Sequence, residues 1–252
     1  MRLVTWNILC GGRPIADGPD RLSLITDVLA GQNAQIIALQ ECVGFDAPGG
    51  MERMAASIGL PHFALARGAV FDDGLRYGTA VFSAYPIVAK TDVAPEKMQS
   101  AALHTVLATP DGDMAFSSVH LHAYDEDARL TELAEVLATR PAPALADAVI
   151  AGDFNALARS DGYDVPIQGC EMRFDVVDEM LDAGFTDVGH RRAWTHPSPM
   201  AADHTFGQNR RIDYVFATPA LAARAARVEV LRTAVTDVCS DHYPVVAQFD
   251  LT

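Results

Sequence analysis

Three short, almost wholly apolar runs in this chain each stop at a polar residue. Val4-Thr5-Trp6 leads to Asn7, Ile36-Ile37-Ala38-Leu39-Gln40 to Glu41, and Val149-Ile150-Ala151-Gly152 to Asp153 and, two residues on, Asn155. Such runs lack the polar alternation of a half-solvated strand, so they suit strands buried on both faces, as in a sheet covered by helices. A fourth case is reversed, with Asp241-His242 preceding Tyr243-Pro244-Val245-Val246. The outer ends of buried strands are where α/β folds place ligands, and packing gives these polar groups no reason to be there. In extended chain Asp153 and Asn155 point to one side and Phe154 to the other, toward the core.

The remaining periodicity supplies the covering helices and more strands. Arg2–Leu9 and Gln35–Leu39 are expected strands, separated by a helix that Asp20 caps and Gly31 ends. A short helix is expected over Met51–Ile58 and a strand over Tyr77–Phe82. Ala102–Ala108 and Met114–His122 flank Pro110-Asp111-Gly112-Asp113, a turn that makes them an antiparallel hairpin. Glu126–Arg140 is amphipathic, with Leu130, Leu133, Val136 and Leu137 on one face, and Pro141 and Pro143 stop it before the strand Ala148–Gly152. Val176–Ala183 reads as a helix, and Arg211–Ala217, Ala226–Val235 and Tyr243–Leu251 read as strands. No linker or low-complexity tract interrupts the series, so residues 1–252 are expected to form one domain of two packed, mixed sheets covered by helices.

Composition narrows the partners. The chain has 19 Lys+Arg against 33 Asp+Glu, a net charge of −14, which opposes binding to bulk duplex DNA or an anionic membrane. A carboxylate-rich site awaiting divalent cations would itself make a sequence acidic. Cys10, Cys42, Cys170 and Cys239 form no C-x-x-C pair and are expected to be reduced thiols. The start MRLVTWNIL lacks a signal-peptide apolar region and no stretch approaches a membrane span, so a cytoplasmic location is expected.

The strand-end residues suggest a chemistry. Asn7, Glu41 and Asp241 offer carboxylate and amide groups, a set that suits Mg²⁺ or Mn²⁺ and not zinc. His120 and His242 add imidazoles able to stabilise or relay charge. Phosphoryl transfer needs an oriented water, charge neutralisation and help for the leaving oxygen, and these residue types match those jobs. Plainer roles compete at several positions. Asp153 and Asn155 fit an Asx turn, and Asp213 could pair with Arg210 or Arg211. His122 stands two residues from His120, and Asp125-Glu126-Asp127 reads as an acidic helix start. Arg76, His204 and Trp194 are candidates for lining a pocket.

Thr5-Trp6-Asn7, Leu39-Gln40-Glu41, Tyr77-Gly78-Thr79-Ala80-Val81-Phe82-Ser83, His120-Leu121, Gly152-Asp153-Phe154-Asn155, Arg211-Ile212-Asp213-Tyr214 and Ser240-Asp241-His242 occur in that order. Together they resemble the motifs of the endonuclease/exonuclease/phosphatase superfamily of DNase I-like phosphoesterases. The resemblance implies an α/β four-layer sandwich, two mixed β-sheets face to face flanked by helices, and Mg²⁺-dependent cleavage of phosphate esters, more in the manner of a phosphodiesterase than a monoesterase. It makes Glu41 the principal metal ligand with Asn7 and Asp241 beside it. Asp153 orients or deprotonates the attacking water, Asn155 holds the phosphate, His242 contacts it while paired with Asp213, and His120 lies on its other side. The formal base is Asp153 or His242. The segment Met98-Gln99-Ser100-Ala101 lacks the arginine that many relatives carry there, so one phosphate contact is either missing or supplied by Arg76. The expected partner is a phosphate-ester substrate whose identity stays open, with nuclease action on a nucleic-acid end or single strand as one alternative. Others are a sphingomyelinase-like or inositol-phosphate-directed hydrolase, or a non-catalytic binding module.

Overall fold

A computed structural model describes residues 1–250 except 16–17, 19, 71–73, 75, 94–95, 142–146, 164–171, 190–192 and 202–208. Two six-stranded sheets face one another. The first has the order β11-β12-β1-β2-β4-β3, built from β1 (Arg2–Asn7), β2 (Ile36–Gln40), β3 (His62–Val70), β4 (Arg76–Ser83), β11 (Ala225–Val230) and β12 (Val245–Phe249). The second has the order β5-β6-β7-β8-β10-β9, with β5 (Ile87–Asp92), β6 (Ala101–Thr109), β7 (Gly112–His120), β8 (Ala148–Asp153), β9 (Thr186–Asp187) and β10 (Asp213–Ala217). Among the described residues the helices are α1 (Arg21–Gly31), α2 (Gly50–Ile58), α3 (Glu126–Thr139) and α4 (Asp175–Asp182), and a short turn of helix, α5 (Pro219–Ala222), precedes β11. No helix among the described residues is long and apolar enough to cross a membrane.

Alternate residues of the same strand enter different cores, as the pleat requires. Leu3, Ala38, Phe116, Val149, Val215 and Ala247 fill the space between the sheets. Val4, Trp6, Ile37, Leu39 and Phe82 pack outward against Ile25 and Leu29 of α1 and Met51, Met54 and Ile58 of α2. On the far side Val119, Ile150, Tyr214 and Phe216 meet Leu133 and Val136 of α3 and Val177 and Met180 of α4. The result is the expected four-layer sandwich.

Each sheet has one parallel pair at its centre, β1 with β2 and β7 with β8, connected through α1 and α3. Parallel pairing puts the carboxyl ends of both partners at one edge. Register then aligns Asn7 with Gln40, and His120 with Asp153. Antiparallel β10 adds Asp213 opposite Asp153. Pairing of β1 with β12 matches Thr5 to Val245, which brings the residues before β12 to the same edge. Gly152 makes the close approach possible, because a Cβ there would lie 1.9 Å from the Val119 carbonyl oxygen and φ is +146°.

Several expected boundaries move. The expected strand Ala226–Val235 is β11 only to Val230, followed by a 3₁₀ turn over Thr236–Val238. The strand expected from Arg211 begins at Asp213. Strands β3 and β5 are not among the elements expected from the sequence. Both are edge strands; β3 is rich in Ala and Gly, and β5 is largely exposed.

Candidate active site

Polarity between the sheets rises in steps toward one edge. Beyond the apolar residues comes a layer of neutral polar groups, Thr5, Gln40, Thr79 and Ser118, all inaccessible to solvent. They satisfy one another: Gln40 Nε2 donates to Thr5 Oγ1 and Ser118 Oγ, each at 3.1 Å, and the Thr79 and Ser118 hydroxyls are bonded together. The next layer outward, one strand period on, holds Asn7, His120, Asp153 and Asp213. Glu41, Asp241 and His242 join it from loops.

Asp153 is at the centre and is 1% exposed. Its Oδ2 accepts from Asn7 Nδ2 at 3.0 Å and lies 3.5 Å from His120 Nε2 and 3.6 Å from His242 Nε2. Its Oδ1 accepts from the Asn155 backbone N–H at 2.9 Å. The Asx turn and the strand-end carboxylate are thus the same structure. Strand β8 ends at Asp153, and Asn155 takes φ +51°, so the two side chains are set by a turn and not by strand alternation. Asn155 Nδ2 donates to the Leu121 carbonyl at 3.0 Å.

Glu41 also has positive φ, +57°. Its Oε1 accepts from Asn7 Nδ2 at 3.2 Å and its Oε2 from the Cys10 N–H at 2.8 Å. Non-glycine residues in this region cost energy, and such positions cluster at functional sites. Asn7 therefore faces both carboxylates through its amide nitrogen, while its oxygen accepts from the Leu9 N–H. Ser240 ties in the last loop: its hydroxyl donates to the Asn7 carbonyl at 2.6 Å and lies 3.3 Å from Asp241 Oδ1.

His242 is buried with Nδ1 2.9 Å from Asp213 Oδ2. Burial pulls this imidazole down, but the carboxylates of Asp213, Asp153 and Asp241 outweigh it and hold the ring up at about 10. Burial raises the Asp213 carboxyl and the His242 charge opposes that rise. Asp213 makes this pair rather than one with an arginine; Arg211 instead binds Asp161 at 3.0 Å and Asp187 at 2.7 Å. His122 takes the plainer role, its Nδ1 accepting from the Tyr124 and Asp125 N–H groups. Asp125 caps α3 by accepting from Ala128 N, and Glu126 pairs with Arg129.

Arg76 is at the same edge, yet it is exposed and its Nη1 donates to the Gly68 carbonyl, outside the cluster around Asp153. Arg232 stacks over the Trp194 ring at 3.6 Å. His204 and Cys170 lie outside the described residues. Cys10, Cys42 and Cys239 are free thiols.

Two residues were missed. Arg21 is buried, and its guanidinium donates to the carbonyls of Leu9 and Cys239, each at 2.7 Å, and of Arg13 at 2.8 Å. It ties the loop after Asn7 to the loop before Asp241. A cation in the first turn opposes the helix dipole, a signal that it serves something else. His196 is the other; its ring lies 4.7 Å from that of His242. No strand motif contains it.

Among the described residues, two groups of three could gather around an ion, Asp153-Asp213-His242 and His196-Asp241-His242. Glu41 is in neither. An edge of carboxylates, amides and imidazoles at the carboxyl ends of paired parallel strands, in a four-layer sandwich, defines the DNase I-like class of fold. The chain belongs to the Endonuclease/Exonuclease/phosphatase family, whose profile matches residues 4–242 and whose members are in general hydrolytic phosphoesterases. Among solved structures it is similar to an endonuclease/exonuclease/phosphatase from Beutenbergia cavernae (25% identity, TM-score 0.74, 98% of this chain and 70% of that one). A 3′ phosphatase from Neisseria bound to a product DNA hairpin shares the fold (21%, 0.73, 100% of both chains). So does a mannosyl-6-phosphatase from Bacteroides thetaiotaomicron (17%, 0.64, 100% of both). No curated protein matches the sequence.

Proposed function

We propose that this protein is a divalent-cation-dependent phosphoesterase that hydrolyses a phosphodiester. The observation that carries the reading is the convergence on Asp153 Oδ2 of one amide and two imidazole nitrogens, within 3.0 to 3.6 Å, with the outer nitrogen of His242 against Asp213. A carboxylate so placed orients a water and takes its proton as the oxygen attacks phosphorus, making Asp153 the base. His242 and His120 donate to the phosphate oxygens as negative charge grows there, and Asp213 keeps the His242 ring in register. Asn155 supplies the second proton of its amide to the same phosphate.

The residues fit a hard cation. Glu41, Asp153 and Asp241 are carboxylates, Glu41 is half-exposed, and the nearby Cys10 thiol is pushed up by burial and so stays protonated. Mg²⁺ or Mn²⁺ would be held by Glu41 with Asp241 and Asn7, the Asn7 amide turning to present its oxygen. When bound, the ion polarises the phosphoryl group and neutralises its charge. Substrates in reach are nucleic-acid ends or single strands, consistent with the net charge of −14 and with the 3′ phosphatase among the similar folds.

Melting in the presence of Mg²⁺ tests the cation. At 100 times its dissociation constant the ion adds about 2.7 kcal/mol, so the melting temperature rises, and Glu41→Ala abolishes the rise. An equal rise in the variant excludes Glu41 as a ligand.

A further inference from the structure

The two ring nitrogens of His196 have different neighbours. Its backbone is bridged to Arg210, which aligns their side chains. Nδ1 accepts from Arg210 Nε at 3.2 Å, and Nε2 faces Asp241 Oδ2 at 3.9 Å. A guanidinium donates and never accepts, so Nδ1 is the bare nitrogen and Nε2 carries the proton. The ring is 7% exposed, and with the Arg210 guanidinium donating to Nδ1 only Nε2 holds a proton, so the ring is neutral.

This tautomer disposes of one reading of the His196-Asp241-His242 group. The nitrogen of His196 that faces the group has no lone pair for an ion, so the three do not form a nitrogen-rich metal site. What Nε2 does offer is an N–H 3.9 Å from Asp241 Oδ2, longer than a hydrogen bond in this structure and within reach of a turn of the carboxylate, whose Oδ1 among the described residues shares the Ser240 hydroxyl that already donates to Asn7.

We infer that His196 is a positioning residue: its Nε2–H, its direction set by Arg210, orients the Asp241 carboxylate for cation binding. The inference rests on the proposed role of Asp241. Carboxylate ligands are commonly held by such outer donors, whose loss weakens metal binding by about 10- to 100-fold. His242 gains as well, since the neutral ring packed on it fills the space beside its face without adding a competing charge.

The test uses the full chain and Mn²⁺ alone, titrated by calorimetry, with hydrolysis of bis(p-nitrophenyl) phosphate measured in parallel. His196→Phe keeps the ring and removes the donor; His196→Gln returns an N–H near the Nε2 position. The Phe variant is expected to raise the Mn²⁺ dissociation constant about tenfold or more. Its kcat at saturating Mn²⁺ should be close to that of the unsubstituted chain, and Gln should restore affinity to within about threefold of the unsubstituted value, well inside the 10- to 100-fold range of a lost outer donor. A role confined to stability would not give a loss that excess metal and a glutamine both repair. Should Phe impair folding, Arg210→Met carries the test, because it frees the tautomer and is expected to weaken Mn²⁺ binding in the same direction. Unchanged affinity in Phe, or in Arg210→Met where Phe does not fold, overturns the inference, as does a Gln variant as weak as Phe. Failure of the unsubstituted chain to bind Mn²⁺ overturns the underlying cation reading and the inference with it.

Discussion

His242 and Asp213 are both almost completely buried, and a buried charge is tolerated only where it is paired. Asp213→Asn keeps the size and removes the charge that fixes the imidazole. On the proposed mechanism kcat falls by about 100-fold or more, the range found when positioned proton-transfer groups are disabled. Steady-state kinetics beside a thermal melt checks it, and a folded variant with unchanged kcat removes His242 from the mechanism. The strand-end residues were legible because a polar side chain that closes an apolar run has no packing reason to be there. His196 and Arg21 were not, since each acts through contacts far along the chain: Arg21 with Cys239, and His196 with Arg210 and Asp241. Asn155 was legible as a polar residue at a strand end but not in its conformation, since strand alternation does not foresee the positive φ that turns the chain after Asp153.

At the scale of elements, the two parallel pairs explain why the site is where it is. Both deliver their carboxyl ends to one edge, and the antiparallel neighbours β10 and β12 begin there. Strands buried on both faces announce themselves in sequence, whereas β3 and β5, at sheet edges and with few large apolar residues, do not. The β6–β7 hairpin carries a separate, purely structural histidine. His104 is buried beneath α3, with Nδ1 2.6 Å from Ser117 Oγ and Nε2 3.1 Å from the Val136 carbonyl, and burial lowers it to about 4. An unfolded histidine titrates near 6.5. The stability its neutral form contributes is therefore complete above pH 6.5 and is lost as pH falls from there to 4, by about 3 kcal/mol. Urea unfolding at a series of pH values should show this slope, and His104→Gln should reduce it by about one proton's worth. An unchanged slope would mean that the ring is charged in the folded protein.

For the molecule as a whole, fold and charge act on different decisions. The sandwich sets the edge where the candidate site gathers, and 33 acidic residues against 19 basic ones oppose the approach of a polyanion. The net charge opposes long-range attraction to a polyanion, so on the proposed function recognition falls to the cation, the histidines and the loops that surround them. Those loops are where the sequence was least informative about substrate, because surface connections follow no periodic pattern. On the proposed function the cluster around Asp153 cleaves phosphate diesters with a divalent cation. Hydrolysis of bis(p-nitrophenyl) phosphate, beside the monoester, with Mg²⁺, Mn²⁺ or EDTA and with Asp153→Ala as control, tests it most directly. Metal-dependent cleavage that favours the diester and falls at least about 100-fold in the variant is expected. Cleavage that survives EDTA or the Asp153→Ala substitution, or no turnover of either ester by a chain that binds the metal, would contradict it.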